Sequence, residues 1–245
     1  MSSQAMQIPI LDHIVILVSH KDLLGISSHI EGHLTLAPGG NHADGLTTNK
    51  LILLSDDDAT IAGEKETEGT VIDWAFTLPS ESDFAAVQQR FQNADTSASY
   101  TDPIPGGRTK PDGTVLEWAV CTPKDRQGNA VAPGSMPFWC LDRTPRARRV
   151  PYEAESHLTQ HPNGVKGLLS VSIRDPDEGA FNLKGAYDAI FGGEWSYDVP
   201  SGSTAGKRAF SLSTGEAAIK LVFHGSKTGR FELLPGLVVD IESLA

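Results

Sequence analysis

An imidazole inside an apolar strand is costly unless something partners it, and the run "LDHIVILV" places His13 in that position. Such a histidine is either a hydrogen-bonded core residue or part of a site. A second polar residue, Glu117, stands in "VLEWAV", where strand alternation groups Val115, Glu117 and Ala119 on one face and Leu116, Trp118 and Val120 on the other. A glutamate flanked in this way lies on an exposed sheet face or in a cleft. The cleft is the reading adopted here, with partial burial raising the carboxyl pKa and fitting it as general base for proton abstraction beside a carbonyl. Arg108, in the turn "PGGRTKPDG", offers a bidentate fork for a carboxylate or phenolate, or points to solvent. Trp74, Trp118 and Trp139 fall in strand-like runs, where tryptophan either packs a core or walls an aromatic or polyketide-like substrate.

The elements that must position these residues come in repeated order. "LDHIVILV" reads as a buried strand, and "HKDLLGISSHIEG" as a helix that presents Leu23, Leu24, Ile26 and Ile30 and stops at Gly32. The turn "PGGNHADG" and the strand "TTNKLILL" follow. A second series then runs "VIDWAFTLP", "SESDFAAVQQRFQNA", "PGGRTKPDG" and "TVLEWAVC". Its helix has Ser80 or Ser82 to cap it and Phe84, Val87 and Phe91 on one face. Asp12 and Asp73 are 61 residues apart, and Pro38 and Pro105 are 67 apart, so the chain holds two diverged copies of one unit. A fainter third copy has only the order of elements, from "GLLSVSIRDPD" through "EGAFNLKGAYDAIFGG" to "KRAFSLST" and "AAIKLVFHG". The expected boundaries are 8–68 for the first module, 69–145 for the second, 146–166 for a connection and 167–245 for a third, diverged module.

Composition narrows the function classes. With 39% hydrophobic and 21% charged residues over 245 positions the chain is globular, and its net charge of −11 argues against nucleic acid as a partner. No apolar run is long enough to span a membrane, and the start lacks the pattern of a secretion signal, so a cytoplasmic protein is expected. Cys121 and Cys140 sit in strand-like runs and are expected to be buried, reduced thiols. The basic stretch "RTPRARRV" reads as a solvated charged connection or as local ion pairs ahead of an anion site. There is no GxGxxG, P-loop, GxSxG, HExxH or CxxC signature, which disfavours a nucleotide cofactor, serine hydrolysis and structural zinc.

Taken in order, "LDHIVILV", "GGNHADGLTTN", "IPGGRTKPDGTVLEWAV", "PFWCLDRTPRARRVP" and "HPNGVKGL" resemble the glyoxalase-like branch of the vicinal-oxygen-chelate superfamily over about residues 9–175. The resemblance implies an α+β fold of repeated βαβββ modules, whose curved mixed sheets surround a cleft. It also implies a divalent metal (Zn, Fe, Mn or Ni) acting as Lewis acid on neighbouring substrate oxygens, with His13 as first ligand. His42 matches the family's GGxH pattern, Asn49 its TxN, and His161 the HPNG turn. Where the family has its glutamate ligand, this chain has Ile61; Glu64 and Glu66 lie nearby in a charged run. An incomplete ligand set weakens metal affinity sharply.

The leading expectation is a small-molecule enzyme, a lyase or isomerase acting on an oxygen-rich, aromatic or carbonyl substrate. Glu117, His42 and His161 would be catalytic, Arg108, Asn49, Trp74, Trp118 and Trp139 would bind substrate, and His13 would hold the metal. The alternatives are a metal-free binding or sequestering module and a metal-independent isomerase or cyclase. A homodimer is expected from the way open module sheets pair in this superfamily.

Overall fold

The computed structural model describes residues 9–41, 48–55, 61–62, 70–110, 112–175, 182–192, 209–214 and 218–243. The apolar run at the start forms β1 (Ile10–Leu17). The Ser19 hydroxyl then accepts the Asp22 amide and starts α1 (His20–Ile30), which buries Leu23, Ile26 and Ile30. β2 (Ala37–Asn41) and β3 (Thr48–Leu51) pair as a hairpin, followed by β4 (Ile61–Ala62). The second copy supplies β5 (Thr70–Thr77), a 3₁₀ turn capped by Ser80, and α2 (Phe84–Asn93), which buries Phe84, Val87 and Phe91 as its spacing predicts. β6 (Ala98–Tyr100), β7 (Ile104–Thr109), β8 (Val115–Cys121), β9 (Pro123–Asp125) and β10 (Phe138–Asp142) follow. The connection contains α3 (Arg146–Arg149). The last part holds β11 (Val165–Asp175), α4 (Leu183–Phe191), β12 (Ala209–Thr214), β13 (Ala218–Gly225), β14 (Gly229–Leu234) and β15 (Leu237–Ser243). Gly192 takes a left-handed φ of 79° and ends α4 there.

The two large sheets share one plan. The six-stranded sheet runs β4-β1-β5-β10-β8-β7, with pairs that are parallel, antiparallel, parallel, antiparallel and antiparallel. The five-stranded sheet runs β12-β11-β13-β15-β14 and repeats the first four of those pair directions. The segment 167–245, expected to hold one module, thus builds a sheet arranged like the one that the first two modules share. In each, the central antiparallel pair joins the leading strands of two half-sheets. The result is an α+β fold with curved mixed sheets, as expected.

Helices lie against one face of the first sheet and bring the second sheet to it. Arg90 of α2 donates to the Ala189 and Ile190 carbonyls at the C-terminal end of α4, satisfying groups that the helix itself leaves open. Phe76 of β5 meets Phe191 of α4 edge-on at 5.5 Å. Beneath them Trp74, Phe84, Tyr100 and Trp139 are buried in the same core cluster, which runs on into Val171, Leu221 and Phe223 of the second sheet. Cys121 and Cys140 are buried free thiols, as their strand contexts predict. Among the described residues no helix is long and apolar enough to cross a membrane.

Candidate functional site

Register decides which side chains share the other, open face of the first sheet. His13 pairs with Ala75, and Ala75 with Phe138, so the three form one row across β1, β5 and β10. The small Ala75 leaves room above it, and the His13 and Phe138 rings meet there edge-on, with centroids 5.2 Å apart. Val15 pairs with Asp73 in the next row, and Asp142 pairs with Trp118 further along. Val15, Asp73, Phe138, Trp118 and Arg108 on this face are all partly exposed. By contrast, the alternate residues Trp74, Phe76, Ala119, Cys121, Trp139 and Leu141 are fully buried on the helix side.

A β-bulge orients His13. The β1–β5 register shifts between Leu11 and His13, which leaves Asp12 as the extra residue and lets two consecutive side chains work together. The Asp12 carboxylate holds His13 Nδ1 at 2.5 Å. When the ring is neutral, Nδ1 carries the proton, and Nε2 is left as an acceptor on the open face. Asp12 itself is completely buried and is held by Arg146 and by two nitrogens of Arg149, at 2.7 and 3.1 Å. Burial alone would raise the Asp12 pKa; the Arg149 and Arg146 guanidiniums, with His13, overcome this and hold it well below the usual carboxylate range. Asp142 accepts from the same two guanidiniums, at 2.8 and 2.9 Å from Arg149 and 2.9 Å from Arg146, and Arg146 Nε donates to the Tyr152 hydroxyl at 3.3 Å. Two arginines of the basic stretch therefore form ion pairs, local to Asp142 and long-range to Asp12, that anchor α3 onto the open face.

Asp73 was used in the sequence only to mark the repeat, and the structure places it one diagonal step from His13, about 7–8 Å between Cα atoms. Burial raises its pKa to about 7, against hydrogen bonds from the Trp74 and Gly134 backbones. A carboxyl that changes protonation near neutrality suits proton transfer. The signal available in the sequence was an aspartate in an apolar strand, at the repeat position of Asp12.

Several expected site residues lie elsewhere. Glu117 is exposed, on the face opposite Trp118, because the cleft takes the other parity of β8. Trp74 and Trp139, at 0% exposure, form core and cannot wall a substrate. Trp118 does face the cleft and lies flat over Gly106, where a Cβ would come within 2.8 Å of its Nε1. His161 is buried with both ring nitrogens engaged. Nδ1 accepts the Thr35 amide at 3.1 Å, which puts the proton on Nε2 for the Leu53 carbonyl at 2.9 Å. Burial lowers its pKa, opposed by the Leu53 bond, and the two hydrogen bonds tie the HPNG turn to the first module. Asn49 accepts the Gly40 amide at 3.0 Å and locks the β2–β3 hairpin. His42, Glu64 and Glu66 fall outside the described residues, and of Ile61 the backbone pairing with Ile14 is described.

A metal needs three or more converging protein ligands. Among the described residues no three His, Cys, Asp or Glu side chains converge in this way, and His13 is bordered by Ala75 and Phe138. The described residues do not fit a metal centre. What they offer is an oriented imidazole bordered by Phe138, a carboxyl titrating near neutrality and, further along the same face, Trp118 and Arg108.

The comparisons agree with this architecture. The chain resembles a hypothetical protein from Staphylococcus aureus, with a TM-score of 0.67 and 13% identity over 97% of this chain and 100% of that one. It also resembles the Mn(II)-bound glyoxalase from Novosphingobium aromaticivorans, with a TM-score of 0.56 and 10% identity, covering 97% and 82% of the two chains. Homoprotocatechuate 2,3-dioxygenase from Arthrobacter globiformis gives a TM-score of 0.55 at 13% identity, covering 99% and 82%. At such identities the likeness is one of fold. No curated protein matches the sequence. The profile of the glyoxalase-like domain matches residues 11–187, which hold both clear modules, β11 and the first part of α4. The chain therefore belongs to the glyoxalase-like domain family.

Proposed function

We propose that this protein is a small-molecule enzyme of glyoxalase-like type, a lyase or isomerase that moves a proton at the carbon beside a carbonyl of an oxygen-rich substrate. The observation that carries the reading is the oriented His13, with Nδ1 on the buried Asp12 carboxylate and Asp73 one diagonal step away on the same face. In this reading one member of the His13–Asp73 pair removes the proton and the other returns it, to the same or a neighbouring atom. Phe138 borders His13 on the side of the reacting group, and Trp118 stands further along the same face, where it would contact the remainder of the substrate. Arg108 sits at the rim, where it would orient the substrate.

The test is proton exchange in D₂O, followed by NMR over a panel of small hydroxy- and keto-carbonyl compounds, with and without a chelator. Wild type should exchange the proton beside the carbonyl of at least one compound, and His13→Ala and Asp73→Asn should each lower that rate by about 10²-fold or more. Exchange that survives both substitutions rejects the assignment. Exchange that stops on chelation would transfer the chemistry to a metal.

A further inference from the structure

The two Pro-Gly-Gly stretches meet across one cleft. Gly40 of β2 faces Arg108 of β7 so closely that a Cβ on Gly40 would come within 2.8 Å of Arg108 Nη1. Glycine is what lets the guanidinium lie along the hairpin backbone. The opening that remains has a volume of about 650 Å³ and is lined by Gly40, Leu51, Leu53, Arg108, Arg149 and Leu158. This lies within the size range of small-molecule sites, roughly 300–1,000 Å³.

The charges on its walls are unequal in their commitments. Arg149 is satisfied by Asp12 and Asp142. Lys110 stands at the rim with Asp112 and Glu155, and the Asp112 carboxylate is taken up by the Thr114 amide at 2.9 Å. Arg108 is partly buried, and among the described residues no carboxylate pairs with it. Burial, and after it the neighbouring Arg149 cation, lowers its pKa. A cation held out of water beside another cation gains from an incoming anion, and its planar fork matches a carboxylate or phosphoryl group.

We infer that the cleft between the two Pro-Gly-Gly strands is an oxyanion subsite, in which Arg108 takes the carboxylate or phosphoryl group of an anionic substrate. That the anion belongs to a substrate rests on the function proposed above; the subsite itself does not. The hairpin carrying Gly40 and the strand carrying Arg108 come from different modules, so each copy of the repeated turn supplies one wall.

The test titrates the full chain with pyruvate, with its neutral amide pyruvamide and with inorganic phosphate, read by calorimetry. Pyruvate or phosphate should bind about tenfold or more tightly than pyruvamide. Preference for pyruvate assigns a carboxylate, and preference for phosphate a phosphoryl group. Arg108→Gln should abolish the preference, and Arg108→Lys should restore part of it. Gly40→Ala, which displaces the guanidinium without removing charge, should weaken anion binding as well. Equal binding of pyruvate and pyruvamide with no phosphate binding overturns the inference, as does a preference unchanged in Arg108→Gln with native circular dichroism. Repeating the titration in His13→Ala separates the two proposals, because anion binding should persist there while proton exchange is lost.

Discussion

Replacing Asp12 by asparagine keeps the shape of a fully buried charged group, removes its charge and exchanges one acceptor oxygen for an NH2 donor. In the native protein that carboxylate meets His13, Arg146 and Arg149, all from 0% exposure. After the substitution two guanidiniums, with 22% and 13% of their side-chain surface exposed, share the single carboxylate of Asp142. Removing one partner of a buried ion pair costs about 3–5 kcal/mol, and the retained amide oxygen puts this case near the lower end. At about 2–4 °C per kcal/mol for a chain of this size, Tm should fall by about 6–12 °C. The pH dependence has a fixed sign. Asp12 has a folded pKa well below the ordinary aspartate value of 3.8, so its contribution is present above that value and is lost as pH falls through the folded pKa. The gap between wild type and Asp12→Asn in urea unfolding should therefore be full at pH 7 and close in acid. Adding Arg149→Met should recover part of the loss, because it removes the cation left without a partner. An Asp12→Asn protein within about 1 kcal/mol of wild type at pH 7 would refute the argument.

Three further outcomes follow from the same geometry. Asp73 has a folded pKa raised to about 7 from 3.8, so its stabilising share is full below 3.8 and is gone once pH has risen past about 7. Asp73→Asn should match wild type in acid and exceed it by up to about 4 kcal/mol above neutrality; equal pH profiles in denaturant unfolding would contradict the burial of this carboxyl. Trp139→Ala, in the core, should cost about 3–5 kcal/mol, while Trp118→Ala, on the cleft face, should cost clearly less and change ligand binding; equal thermal shifts for the two would mean that the faces are misassigned. His161 is held neutral with its pKa lowered from 6.5, so the stability it confers is present above that value and falls away in acid. His161→Ala should lose about 1–3 kcal/mol at pH 7 yet retain proton exchange, and a variant that folds normally but is inactive would return His161 to the catalytic set.

The repeat was legible in the chain, and its limits show where local information ends. Apolar runs, Ser80 as a cap, the Phe84, Val87 and Phe91 stripe and the doubled Pro-Gly-Gly turns each follow from short-range rules, so the main repeated elements were legible, and the family resemblance carried the α+β class. Residues such as His13 could be marked as costly in their setting without any contact being known. Alternation in "VLEWAV" separates Glu117 from Trp118, but nothing within the strand says which parity faces the helices and which the cleft. That depends on the neighbouring strands, and it put Trp118 in the cleft and Glu117 in solvent. Nor does the strand's own sequence say that His13 pairs with Ala75, with a bulge at Asp12, and so shares its face with Asp73. The roles of Arg146 and Arg149 required partners 130 residues and more away, which only the folded chain brings to hydrogen-bonding distance. The amino-acid sequence by itself determined the repeated elements and the types of polar group available. Tertiary structure decided which of those groups share a face, because a strand has two faces and only its pairing and its packing partners choose between them.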